Sequence, residues 1–121
     1  MAFFEMDSSD IFNRGDSISR TVMLYNEDTD VPIDLDILTD IQFEVLHTVT
    51  NRVLATYTLS GGSITKQDAA NGLAWFDVGQ SNTGTAKRGD YLLRSKSWEA
   101  DVNFESGVHI RTGTAFCFKL R

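Results

Sequence analysis

Few side chains in this sequence are of types that could carry chemistry: 2 histidines, 1 cysteine, a serine after a Gly-Asp pair and two runs of closely spaced carboxylates. A metal centre would draw on His and Cys at short fixed spacings, whereas His47 and His109 each sit in a strand-like stretch with no second His or Cys at ligand spacing. Both are expected as exposed or cross-strand-paired histidines. The carboxylates of "NEDTD" (Asn26 to Asp30) and "DLDILTD" (Asp34, Asp36, Asp40) are close enough in sequence to hold Ca²⁺, but the central Gly and distal Glu of a calcium loop are missing. They read as solvated loops. Ser17, in "GDSISR", opens a strand with no His or acid placed to activate it. No Gly-x-Ser-x-Gly elbow, P-loop or dinucleotide fingerprint occurs. The expectation is therefore no catalytic residue, no cofactor and no metal site, with a glycosidase-like pair of acids from distant strands as the one route left open.

The tripeptide Arg-Gly-Asp occurs twice, in "NRGDS" from Asn13 and "KRGDY" from Lys87. Integrin ligands carry it, but both copies stand where a strand begins. There Gly supplies the φ a turn requires, and Asp can bond the backbone two residues on. Arg14 and Arg88 are then expected as ordinary exposed turn residues.

The elements that position these groups are strands. In "DIQFEVLH" Ile41, Phe43 and Val45 alternate with Gln42 and Glu44, and in "SISRTVMLYN" Ile18, Val22 and Leu24 share a face that Arg20 interrupts. "RVLATYTL" sets Val53, Ala55, Tyr57 and Leu59 on one face, and Val49 to Arg52 turns it into a hairpin with the strand before. "NGLAWFDVG" is entered through Asn71-Gly72, a pair suited to positive φ. "GDYLLRSKSWEADV" and "SGVHIRTGTAFCFKL" complete the set, and "AFFEM" reads as a leading strand. Ser81 can cap one helical turn in "SNTGTAKRGD", which is long enough to cross between sheets. With about seven or eight short strands and no room for a strand–helix–strand crossover, the pattern predicts an all-β antiparallel sandwich. Residues 1–121 read as one domain, with 1–12 as an N-terminal strand or arm.

Composition agrees. The chain has 121 residues and is 41% hydrophobic, enough to bury one core, and its net charge of −6 repels phosphate backbones and anionic lipid. Neither nucleic acid nor membrane is expected as a partner. A single cysteine forbids an intrachain disulfide, and Cys117 in "AFCFKL" reads as a small buried hydrophobe. The start "MAFFEMDSSD" lacks the basic and apolar regions of a signal peptide.

Taken in order, Gly15-Asp16-Ser17, Pro32-Ile33-Asp34-Leu35, Gly61-Gly62-Ser63-Ile64, Gly89-Asp90-Tyr91 and the closing strand from Gly113 resemble the immunoglobulin-like domain of tailed-bacteriophage virion proteins. The N-terminal domain of baseplate upper proteins typifies that family. The resemblance runs from about Gly15 to Leu120. It implies an immunoglobulin-like sandwich that acts without catalysis as a structural part of a tail, baseplate, neck or capsid surface. Its partners would be other virion proteins and copies of itself. The protein would be made in the host cytoplasm without a signal peptide and end in the virion. Interface contacts are expected at Phe3, Phe4, Leu73 and Trp75, apolar residues at the terminus and on an outer sheet face. Arg94 and Lys96 are expected to guard strand edges. The alternative is a carbohydrate-binding or host-adhesion module in which Trp75 or Trp98 stacks on a sugar.

Overall fold

The computed structural model describes residues 2–5, 11–26 and 28–121, the first of these segments by backbone alone. Two sheets of five strands pack face to face, so the expected all-β sandwich is present. The first sheet runs β1 (Ala2–Glu5), β3 (Ile18–Asn26), β8 (Leu73–Val78), β7 (Thr65–Asp68), with β4 (Val31–Pro32) on the far end of β3. The second runs β2 (Ile11–Phe12), β10 (Val108–Leu120), β9 (Gly89–Ala100), β5 (Leu38–His47), β6 (Val53–Thr58). Among the described residues all pairings are antiparallel except β2 with β10. The strands outnumber the seven or eight expected because β2 and β4 are only two residues long and β7, "TKQD", is exposed throughout. None of these buries an alternating apolar face.

Alternation explains the long strands. Ile18, Arg20, Val22 and Leu24 of β3 are buried while Ser19, Thr21, Met23 and Tyr25 are not, and Ala74, Phe76 and Val78 of β8 are buried opposite them. From the second sheet Ile41, Phe43, Val45, Leu93 and Phe118 complete the core. Phe76 lies 5.4 Å from Phe43 and 4.9 Å from Tyr57, ring to ring, so one aromatic ties the two sheets together. Arg20 is an unusual member: it is fully buried, with its guanidinium 4.8 Å above the Phe12 ring.

Two bulges change which side chains face the core. Val45 pairs with Ala55 but Leu46 pairs with Val53, so Leu54 is the extra residue. Tyr57 and Ala55 keep the expected inner face, whereas Val53 is turned out to 39% exposure and Leu54 packs on the core. In β10 the slip falls between Phe116 and Phe118, so Cys117 and Phe118 are both buried and Phe116 is left outside. Cys117 is the small core residue expected.

The crossing from β8 to β9 does contain a helical turn, α1 (Gln80–Thr83), but its cap is Gly79 rather than Ser81. Thr83, buried, donates its hydroxyl to the Asp16 carbonyl at 2.6 Å and thereby ties this crossing to the turn before β3. Arg94 and Lys96 do not guard an edge, because β9 lies between β10 and β5 in the middle of its sheet.

Candidate functional site

Both Arg-Gly-Asp tripeptides fall at the same end of the sandwich. Asn13–Asp16 closes a tight turn in which the Asp16 N–H donates to the Asn13 carbonyl at 3.1 Å and the Asn13 N–H donates to Asp16 Oδ2 at 2.9 Å. The aspartate thus bonds back onto its own turn and not two residues forward, and Gly15 supplies the φ of +89°. At the second copy Gly89 has φ +133°, and a Cβ there would stand 2.8 Å from His47 Nε2. Only glycine fits against that ring.

His47 is buried rather than exposed, and it pairs across strands with Tyr91, the other role expected for it. Its Nδ1 accepts from the N–H groups of Val49 at 3.2 Å and Thr50 at 3.4 Å, so the proton is on Nε2, which donates to the Arg88 carbonyl at 3.0 Å. The ring also stands edge-on to Tyr91, 5.2 Å away, whose hydroxyl donates to the Lys87 carbonyl at 2.6 Å. Burial raises the Tyr91 pKa, and the Arg14 guanidinium partly opposes that shift. One buried histidine and one buried tyrosine therefore hold the β5–β6 turn and the Lys87-Arg88 segment by their backbones, leaving the cationic side chains outside.

Those side chains surround a cleft of about 910 Å³, lined by Arg14, Arg52, Lys87 and Arg88 together with His47, Tyr91 and short polar residues including Thr50 and Asn82. No carboxylate is among the lining residues. Arg14 is further fixed by a bond from Nη2 to the Gly84 carbonyl at 3.2 Å. Arg14 and Arg88 are exposed as expected, but the fold places them around one cavity in a chain whose net charge is −6. Sequence spacing alone gave no sign of this, since the two are far apart along the chain.

The opposite end is acidic. Asp28, Asp30, Asp34 and Asp36 are exposed there, in the β3–β4 turn and the connection to β5. Their neighbourhoods are separate: Asn26 Oδ1 accepts from the Asp28 N–H at 2.9 Å, Asp34 caps a 3-10 turn over Leu35–Ile37, and Asp36 pairs with Lys66 at 2.8 Å. Asp40 accepts both the N–H and the hydroxyl of Ser60, at 3.0 and 2.9 Å. One set missed from sequence is Glu99, Asp101 and His109, whose potential ligand atoms lie within 4.8 Å of one another. Arg111 sits 3.3 Å from Glu99 and supplies positive charge to the group, while Phe104 stacks on His109 at 4.2 Å. Strand pairing of Glu99 with His109 could have been read only from the β9–β10 register.

Trp75 and Leu73 lie on the outer face of the first sheet, half-buried, with Trp75 opposite Thr21 and Thr65 and Leu73 opposite Met23. The β1 register sets Phe4 opposite Met23, in the same cross-strand row as Leu73, and Phe3 opposite Leu24 in a different row. The side chains of Phe3 and Phe4 lie outside the described residues. On the second sheet Phe116, Leu92, Leu46 and Val53 form another cross-strand row, in which Phe116 and Val53 are exposed. Trp98 is half-buried with Lys96 Nζ 5.3 Å from its ring centroid. No protein-family model matches the chain, and no curated protein matches it at a significant level.

Proposed function

We propose that this chain is a non-enzymatic structural protein of a tailed-phage virion, an immunoglobulin-like sandwich that works by packing against neighbouring virion proteins and copies of itself. The observation that carries this reading is where the resembling motifs fall in the fold. Gly15-Asp16-Ser17 immediately precedes β3, Pro32 to Leu35 spans β4 and the 3-10 turn, Gly61 to Ile64 lies in the β6–β7 turn, and Gly89-Asp90-Tyr91 opens β9. Each motif is thus the turn chemistry of one junction, in the order the resemblance implies.

Apolar rows on both outer faces, Met23 with Leu73 and Phe116 with Val53, are surfaces of the kind an assembling domain covers. Mass spectrometry of tailed particles purified from the strain that encodes the chain should detect it in stoichiometric amounts. Its absence from the particles, with the chain recovered in the soluble fraction, overturns the reading. The carbohydrate-binding alternative needs a bare indole face, and Lys96 is placed over the Trp98 ring. Glycan-dependent quenching of tryptophan fluorescence would favour that alternative.

A further inference from the structure

Four cations, Arg14, Arg52, Lys87 and Arg88, line the cleft at one end of this molecule, with Asp16 and Asp90 elsewhere on that end, and the exposed carboxylates of Asp28, Asp30, Asp34 and Asp36 stand at the other. Strand β3 leaves the Arg14 turn at Ile18 and reaches the Asp28–Asp30 turn after Asn26, a run of 9 residues. At about 3.3 Å per residue the two ends stand roughly 30 Å apart. β5 repeats the polarity, since it begins beside Asp34 and Asp36 and ends at His47 in the wall of the basic cleft. Resting on the assembly reading above, we propose that copies of this chain join head to tail. The acidic β3–β4 turn of one copy, with Asp28 and Asp30 at its tip, enters the cleft formed by Arg14, Arg52, Lys87 and Arg88 of the next.

Three observations carry this. The cleft presents cations without a lining carboxylate, and at about 910 Å³ it is near the top of the range of ligand pockets, roughly 300–1,000 Å³, large enough to admit a turn. Asp28 and Asp30 are held through their N–H groups, Asp30 to the Asn26 carbonyl at 2.8 Å and Asp28 to the Asn26 side-chain Oδ1 at 2.9 Å, which leaves both carboxylates exposed. Finally, the separation of the two ends exceeds the screening length of about 8 Å at physiological salt, so they do not neutralise each other within one copy. A two-fold dimer that set cleft on cleft or acidic turn on acidic turn would oppose like charge to like. Head-to-tail contact pairs unlike ends, and repeats either into a closed ring or into an open stack.

Sedimentation velocity on the full chain tests this, at ~20 mM and ~500 mM salt and up to ~1 mM protein. Wild type should associate progressively at low salt and revert to monomer at high salt. Arg52→Gln/Arg88→Gln, which keeps only the acidic end, and Asp28→Asn/Asp30→Asn, which keeps only the basic end, should each be monomeric while unfolding at the wild-type temperature. Mixed in equal amounts they should form a one-to-one pair and nothing larger. A monomeric wild type at low salt, association that ignores salt, variants that assemble as wild type does, or a mixture that stays monomeric would each overturn the proposal. Such a failure with the chain still present in purified particles leaves the virion reading standing, whereas absence from particles defeats that reading whatever the sedimentation result.

Discussion

The two ends of the sandwich are made from the same materials, glycine, aspartate and short polar turns, and they differ in what is buried beneath those turns. Under the basic end lie His47 and Tyr91, polar side chains that hold loop backbones from the inside. Under the acidic end side chains such as Asn26 and Asp34 bond at the exposed surface, and the bonds beneath them run backbone to backbone: Leu24 N–H to the Gly72 carbonyl at 2.8 Å and Ile33 N–H to the Leu24 carbonyl at 2.9 Å. A turn held by a side chain can be loosened by one substitution without disturbing the sheet. One that is part of the ladder cannot.

The largest effect should therefore come at the acidic end. Gly72 has φ +71°, and a Cβ there would collide with the carbonyl oxygens of Leu24 and Ile33. Gly72→Ala should lose about 4 kcal/mol in denaturant unfolding. Gly15→Ala at the basic end, with φ +89° and open space, should lose only about 1 kcal/mol. Equal losses would erase the contrast. Next in size is His47→Leu, which removes the acceptor for Val49 and Thr50 and the donor to Arg88. It should cost about 2–3 kcal/mol and speed amide exchange in the β5–β6 turn more than at Gly72.

The smallest effect at neutral pH distinguishes the two buried tyrosines. The Tyr57 hydroxyl is buried with no partner in bonding geometry among the described residues. Burial pushes its pKa up to about 12, Asp77 and Cys117 reinforce the shift, and Asn82 offsets it only in part. Because the folded pKa is raised, the protonated hydroxyl is favoured in the fold. The stability this contributes is complete below pH 10 and is lost as pH rises from 10 through about 12. Tyr57→Phe should stay within about 1 kcal/mol of wild type at pH 7 and flatten the alkaline loss. Tyr91→Phe should flatten it less, since Arg14 opposes the shift there. Urea unfolding at several alkaline pH values reads both, and an unchanged alkaline slope in Tyr57→Phe would refute the assignment.

Much of the fold was legible because it rests on alternation. The inner face of β8 follows from "LAWFDV" alone, and that same pattern leaves Leu73 and Trp75 outside. Bulges were not legible: nothing in "RVLATYTL" announces that Leu54 is the extra residue, so Val53 was assigned to the wrong face. Nor could β7 be read, since "TKQD" has no apolar partner set and owes its strand to pairing with β8. Glycine at both Arg-Gly-Asp copies meets the backbone need read from the sequence, with positive φ at Gly15 and Gly89, but the convergence of Arg14 and Arg88 on one cleft depends on tertiary placement. His47 in "FEVLH" looks like the end of an alternating strand, and its burial follows from the turn folding over it.

The parallel contact of β2 with β10 has a kinetic consequence. Lys119 and Leu120 lie beside Ile11 and Phe12, and the Arg121 N–H donates to the Phe12 carbonyl at 2.9 Å, while Arg14 donates its N–H to the Arg121 carbonyl at 3.3 Å. This closure joins positions from nearly opposite ends of the sequence, so its entropy cost places it late and favours slow folding. A nascent chain cannot set Arg14 by this contact until residue 121 has left the ribosome, although its acidic turn has been made long before. Synthesis order would then act as a timer, withholding the completed cationic cleft until the rest of the sandwich can fold around it.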